Sequence, residues 1–89
     1  MNAIITVVGP DRVGIIAEVC TLLAEMRISV VEISQTIMGN MFTMIMRVEA
    51  TEGAPLFDEA RDRLTRKGEE MGLSIRIQRE DIFNAMHTI

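Results

Sequence analysis

Ser29-Val-Val-Glu-Ile-Ser-Gln-Thr-Ile-Met38, then Gly39-Asn40, then Met41-Phe-Thr-Met-Ile-Met-Arg-Val-Glu-Ala50 is the stretch that decides the fold. Two apolar, β-branched runs separated by a two-residue Gly-Asn loop predict a β-hairpin with a tight turn. The loop length fixes the register. If Met38 opposes Met41, then Ile37 faces Phe42, Ile33 faces Met46 and Val31 faces Val48 on one side, while Glu32 faces Arg47 on the other. A slip of one residue loses both the apolar matches and the charge pair. Gln35 breaks the pattern, because the same alternation sets it on the apolar side opposite Met44.

Outward from the hairpin the periodicity changes. Ala3 to Val8 is a short Ile/Val-rich run ended by Gly9-Pro10, the pattern of a strand covered on both faces. From Gly14 onward Ile15, Val19, Leu22 and Met26 recur at helical spacing, widened by Ile16, Cys20 and Leu23. After the hairpin, Pro55 suits the first turn of a second helix, whose apolar face is Phe57, Ala60, Leu64, Gly68 and Met71 and whose end is marked by Gly72. Glu59 with Arg63 and Asp62 with Arg66 are acid-first i, i+4 pairs on its solvated side. Leu73, Ile75 and Ile77 then alternate with polar residues as a last strand, and Glu80 to His87 predicts a short C-terminal helix with Ile82, Phe83 and Met86 on one side. The order βαββαβ predicts an α+β, ferredoxin-like sandwich: a four-stranded antiparallel sheet with two helices on one face, plus that short C-terminal helix.

Eighty-nine residues make one domain, residues 1–89, with a core over about 3–79 and a helical tail over 80–89. A chain of this size buries only roughly 60–65% of its unfolded surface, so association helps it, and a homodimer is expected. The apolar runs are too short for a membrane span and no basic region precedes the first, so the expected location is cytoplasmic, with no membrane partner. Cys20 is the single cysteine, which excludes an internal disulfide and a thiolate cluster; no metal or cofactor is expected. A net charge of −4 removes the general attraction to phosphate backbones, and nucleic acid is not an expected partner. Eight methionines supply adaptable apolar volume where tryptophan and tyrosine are absent.

The fold hosts unrelated functions, so function has to come from side chains. An RNA-binding module would need exposed aromatics on the central strands, where this chain has Thr6, Thr43, Ile45 and Arg47. A metal chaperone would need two cysteines in the loop Gly9 to Gly14, which has none. Arg12 in that loop keeps open a small acylphosphatase-like enzyme, although the loop lacks a long glycine-rich cradle. No catalytic grouping can be assembled around the lone histidine, His87, which lies near the chain end, and the expectation is that the protein is not an enzyme and has no catalytic residues. The informative segment is Val8-Gly9-Pro10-Asp11-Arg12-Val13-Gly14-Ile15-Ile16. Asp11 can accept turn amides or cap the helix, and Gly14 permits a close approach to the backbone. A ligand-binding loop and a well-made turn both satisfy these residues.

Gly9-Pro10-Asp11-Arg12-x-Gly14-Ile15 after an Ile/Val strand, followed by Ile28-Ser29-Val30 at the opening of the second strand, resembles the ACT domain, a small regulatory amino-acid-binding module. The version it resembles is that of formyltetrahydrofolate deformylase and the glycine cleavage repressor. Ile33-Ser34-Gln35-Thr36 and the ending Glu80 to His87 resemble the stand-alone single-ACT proteins of unassigned function. The resemblance implies a homodimer with a small ligand, an amino acid, bound at the subunit interface. Carried over by position, Asp11, Arg12, Val13, Gly14 and Ile15 form the loop side, and Ser29, Val30 and Val31 form the adjoining strand start. The chain departs from the family where Arg27 and Ser29 stand in place of a frequent glycine and asparagine. The expected function is therefore a regulatory ligand-binding module that acts through an unidentified protein partner, with a structural adaptor dimer as the alternative.

Overall fold

The computed structural model describes residues 2–81. Its elements are β1 (Asn2–Pro10), α1 (Ile15–Glu25), β2 (Ile28–Met38), β3 (Met41–Ala50), α2 (Phe57–Met71) and β4 (Ser74–Arg79). The strands form one antiparallel sheet in the order β2-β3-β1-β4, which is the ferredoxin-like arrangement. The helix expected over Glu80–His87 lies outside the described residues except for Glu80 and Asp81, whose backbone is helical.

The hairpin register follows the sequence reading from the turn as far as Glu32. Met38 pairs with Met41, Ile37 with Phe42, Ile33 with Met46 and Glu32 with Arg47, and Gln35 does oppose Met44. Gly39 takes φ 61°, which a two-residue hairpin turn with glycine in first place uses. Beyond Glu32 the register shifts, and Val30 rather than Val31 pairs with Val48. A β-bulge at Val31 sets two residues of β2 against one of β3, which turns Val30 and Ile28 toward the core and leaves Val31 49% exposed.

The core lies between the sheet and the helices. Ala3, Ile5 and Val7 of β1, Phe42, Met44, Met46 and Val48 of β3, and Ile75 and Ile77 of β4 meet Ile15, Val19 and Leu23 of α1 and Ala60 and Leu64 of α2. On the outer side of β1 Ile4 is also buried, while Thr6 and Val8 are half-buried. β2 is treated differently. Eleven strand residues extend roughly 36 Å while the eleven residues of α1 rise only about 16 Å, so the helix covers less than half of the strand. Ile33 and Ile37, on the helix side by register, are in consequence about half exposed.

Three local expectations change. Gly14, with φ 92°, is the N-cap of α1 and no side chain caps it, so Asp11 does not. α2 starts at Phe57, two residues after Pro55, with Leu56 as its extended N-cap. Among the described residues the pairs Glu59–Arg63 and Asp62–Arg66 do not form; Arg61 takes both Asp58 (3.3 Å) and Asp62 (3.8 Å). Arg27 has φ 57°, the left-handed conformation glycine would adopt at lower cost, and its carbonyl accepts from the amide (3.0 Å) and hydroxyl (2.6 Å) of Thr51.

Gly68 sets how closely α2 approaches β4. A Cβ there would stand 2.7 Å from the Leu73 carbonyl oxygen and 3.2 Å from Ile75 Cγ1. Helix propensity alone favours Gly68→Ala by about 1 kcal/mol. The overlap is with backbone, which cannot rotate away, so packing decides the sign: Gly68→Ala should destabilise the fold by about 1–3 kcal/mol. Urea unfolding should show a lower midpoint with an unchanged slope, and a stabilised variant would contradict this account of the contact.

Candidate functional site

The segment from Asp11 to Gly14 joins β1 to α1 at the same end of the sheet as the hairpin turn, to which it is tied by the Asp11 amide donating to the Asn40 carbonyl at 2.7 Å. Asp11, Arg12, Val13 and Gly14 are all exposed, Val13 at 94%, whereas Ile15 is buried in the core. Ile15 starts the helix with most of its side chain in the core, and it also contributes to the lining of the groove beside the loop. Beside the loop is an open groove of about 310 Å³, whose far wall is Gln35, Ile37 and Phe42 and whose near wall includes Asp11, Arg12 and Ile16. Gln35 and Ile37 were not among the sequence-derived site residues, although the misplaced polarity of Gln35 was the available signal.

Ser29, Val30 and Val31 lie elsewhere. Ser29 pairs with Glu49, which in turn pairs with Asn2, so the strand start is at the end of the sheet opposite the loop. From Ser29 to Ile37 is roughly 25 Å along β2. Within one chain the two halves of the expected site are not brought together.

The loop's arginine is already engaged. Arg12 Nη2 donates to Glu18 Oε2 at 2.6 Å, Arg12 Nη1 donates to the Val13 carbonyl at 3.2 Å, and Lys67 Nζ stands 3.5 Å from Glu18 Oε1. The Arg12 hydrogen bond, with the charges of Arg12 and Lys67 behind it, holds the Glu18 carboxyl below the usual carboxylate range. A larger concavity, about 370 Å³, lies on the outer face of the sheet between Ile4, Ile45 and Arg47. There Arg47 is paired with Glu32 and, at 3.6 Å, with Glu80, so its polar groups satisfy one another. The loop groove is the better candidate: it combines the carboxylate of Asp11, which has no ion pair among the described residues, with the Gln35 amide and an apolar wall.

Fold and loop together are those of a small α+β module with a groove beside the first strand-helix loop, and comparison with known proteins gives its family. The chain belongs to the ACT domain family, whose model matches residues 2–78. It is 51% identical over all 89 residues to the UPF0237 protein lin0537 of Listeria innocua, with both chains covered completely. Among solved structures it is similar to an ACT domain protein from Streptococcus pneumoniae, with a TM-score of 0.82, 35% identity, and 100% and 97% of the two chains covered. A formyltetrahydrofolate deformylase from Pseudomonas putida has the same fold over 88% of this chain and 28% of its own, with a TM-score of 0.77 at 19% identity. Among the described residues no helix is long and apolar enough to cross a membrane.

Glu18 yields a pH prediction with a definite sign. Its carboxyl is more acidic folded than unfolded, so the contribution is fully present above the ordinary carboxylate range and lost as pH falls through the folded value. Replacing Glu18 by Gln should flatten the acid side of a plot of melting temperature against pH while changing little of its shape near pH 7. An unchanged acid side in Glu18→Gln would mean that the contact with Arg12 does not persist in solution.

Proposed function

We propose that the protein is a regulatory module that binds a small amino acid between two copies of itself and passes its ligand state to a protein partner, in a reducing, cytoplasmic setting where Cys20 stays free. The observation that carries this reading is the placement of Asp11–Gly14 and Ser29–Val31 at opposite ends of one exposed edge strand. Among the described residues β2 has no partner beyond β3; it contains no proline or lysine and exposes Ile33 and Ile37 along its length. Antiparallel pairing of two such edges about a two-fold axis near Ile33 sets Ser29 of the partner subunit beside the loop groove of the first chain. One symmetry operation thereby assembles the site, twice per dimer.

The side chains available define the ligand chemistry. Asp11 offers a carboxylate to an ammonium group, Gln35 offers both a donor and an acceptor, and Ile16, Ile37 and Phe42 accept a short aliphatic body. Arg12, held on Glu18, is not free to cradle a phosphate as an acylphosphatase-like enzyme would require, which argues for binding rather than catalysis at this loop. The short Ser29 favours a small, polar amino acid.

Sedimentation should find a dimer at tens of micromolar, and Ile33→Lys combined with Ile37→Lys should give a folded monomer, since neither side chain is in the core. A wild-type monomer at that concentration would overturn the assembled site.

A ligand at one hundred times its dissociation constant stabilises the folded state by about 2.7 kcal/mol, which raises the melting temperature of a domain this size by roughly ten degrees or more. At least one standard amino acid at millimolar concentration should produce such a rise. Gly14→Val should cancel it, because φ 92° strains any L side chain there even though the space around it is open. If no amino acid shifts the transition of a dimeric protein, the structural adaptor becomes the better account.

A further inference from the structure

We propose that the groove between α1 and α2, on the helical surface away from the loop groove, is a second binding site, for a small phosphate monoester. The groove has a volume of about 240 Å³ and is lined by Leu22 from α1 and by Arg63, Arg66, Lys67 and Glu70 from α2. Three of its five lining residues are cations, in a chain whose net charge is −4.

Arg63, Arg66 and Lys67 stand at i, i+3 and i+4, so they share one face of α2, and like charges at that spacing raise the energy of the empty helix. Carboxylates that would relieve them are within reach on the same helix. Glu59 precedes Arg63 by one turn, Asp62 precedes Arg66 and Glu70 follows it, yet among the described residues neither arginine forms an ion pair; Asp62 is taken by Arg61. The Lys67 side chain is only 27% exposed, and among the described residues its ion-pair partner is Glu18 of α1, 3.5 Å away. The helix dipole does not account for the cluster, since its effect fades within the last turn and Arg63 lies eight residues before Met71.

The donor set selects the ligand. Two guanidinium forks and an ammonium present far more hydrogen-bond donors than one carboxylate accepts, and a dianionic phosphoryl group with three terminal oxygens matches them. The phosphoryl group alone fills only part of the groove, and Leu22 gives the remainder an apolar wall suited to a short organic body. Glu70 at the groove and the negative chain as a whole oppose an extended polyanion, which separates this ligand from a nucleic acid.

The test is a titration of the full isotope-labelled chain with phenyl phosphate, with inorganic phosphate, and with benzenesulfonate, which has the same organic body and a single charge, followed by amide shifts in NMR. The expected result is saturable binding of phenyl phosphate centred on Leu22, Arg63, Arg66 and Lys67, at least about tenfold tighter than benzenesulfonate, with Arg63→Gln and Arg66→Gln each weakening it about fivefold or more. Inorganic phosphate binding as tightly as phenyl phosphate would assign the same donor set to the free ion. The empty Arg63→Gln, Arg66→Gln double variant should melt no lower than the wild type, because it loses repulsion and no ion pair. No saturation below about 20 mM, binding that survives both substitutions, shifts centred on Gly14, or a single-stranded oligonucleotide that outcompetes phenyl phosphate would each overturn the proposal.

Discussion

A strand advances about 3.3 Å per residue and an α-helix 1.5 Å, and most of what distinguishes this molecule follows from that difference. α1 and β2 have eleven residues each, so a helix of about 16 Å lies beside a strand of about 36 Å. The interior strands β1 and β3 escape the mismatch because both helices and both neighbouring strands cover them. The edge strand β2 does not. Its first residues, Ile28 and Val30, reach the core, and the remainder overhangs it. The overhang is the far wall of the loop groove, through Gln35 and Ile37, and also the surface a second copy would cover.

The bulge at Val31 reconciles two demands on that strand. Without it, the alternation that puts Ile33, Gln35 and Ile37 on the helix side would put Val31 and Ser29 there too, and Ile28 and Val30 on the outer face. Inserting one residue restores Ile28 and Val30 to the core at the end α1 covers. The sequence reading could not see this, because both registers match a valine with Val48 and a bulge leaves no mark in an apolar run that is β-branched at both positions.

Elsewhere, legibility depended on how local the interaction was. The two-residue turn, the positive φ at Gly39 and Gly72, and the apolar face of α2 are set by neighbours in the chain, and they were readable from it. The α-helical ion pairs were not, because Arg61 competes for Asp62 and exposed pairs differ by too little to select one partner from spacing alone. The loop was recognisable as a motif, whereas its distance from Ser29–Val31 within one chain was not legible, because it depends on the register of β2 in the sheet. Under the proposed function Asp11–Gly14 and Ser29–Val31 would meet across a symmetry axis, and a symmetry axis is not a property of one chain's sequence.

Glu18 connects the two grooves. Its carboxylate is shared between Arg12, in the loop beside the first groove, and Lys67, in the groove between the helices. An anion bound to Lys67 competes with Glu18 for that ammonium, and Glu18 then has only Arg12 to pair with. A ligand that drew Arg12 away would in turn leave Glu18 to Lys67. The two grooves are thus electrically linked through one exposed carboxylate, and any such coupling is reciprocal. Because Glu18 and Arg12 are both solvated, screening keeps the coupling small and makes it decline with added salt. If the proposed function holds, the larger effect on a partner would come from the apolar edge of β2, where a whole interface could be gained or lost, and the Arg12–Glu18–Lys67 chain would set only its bias.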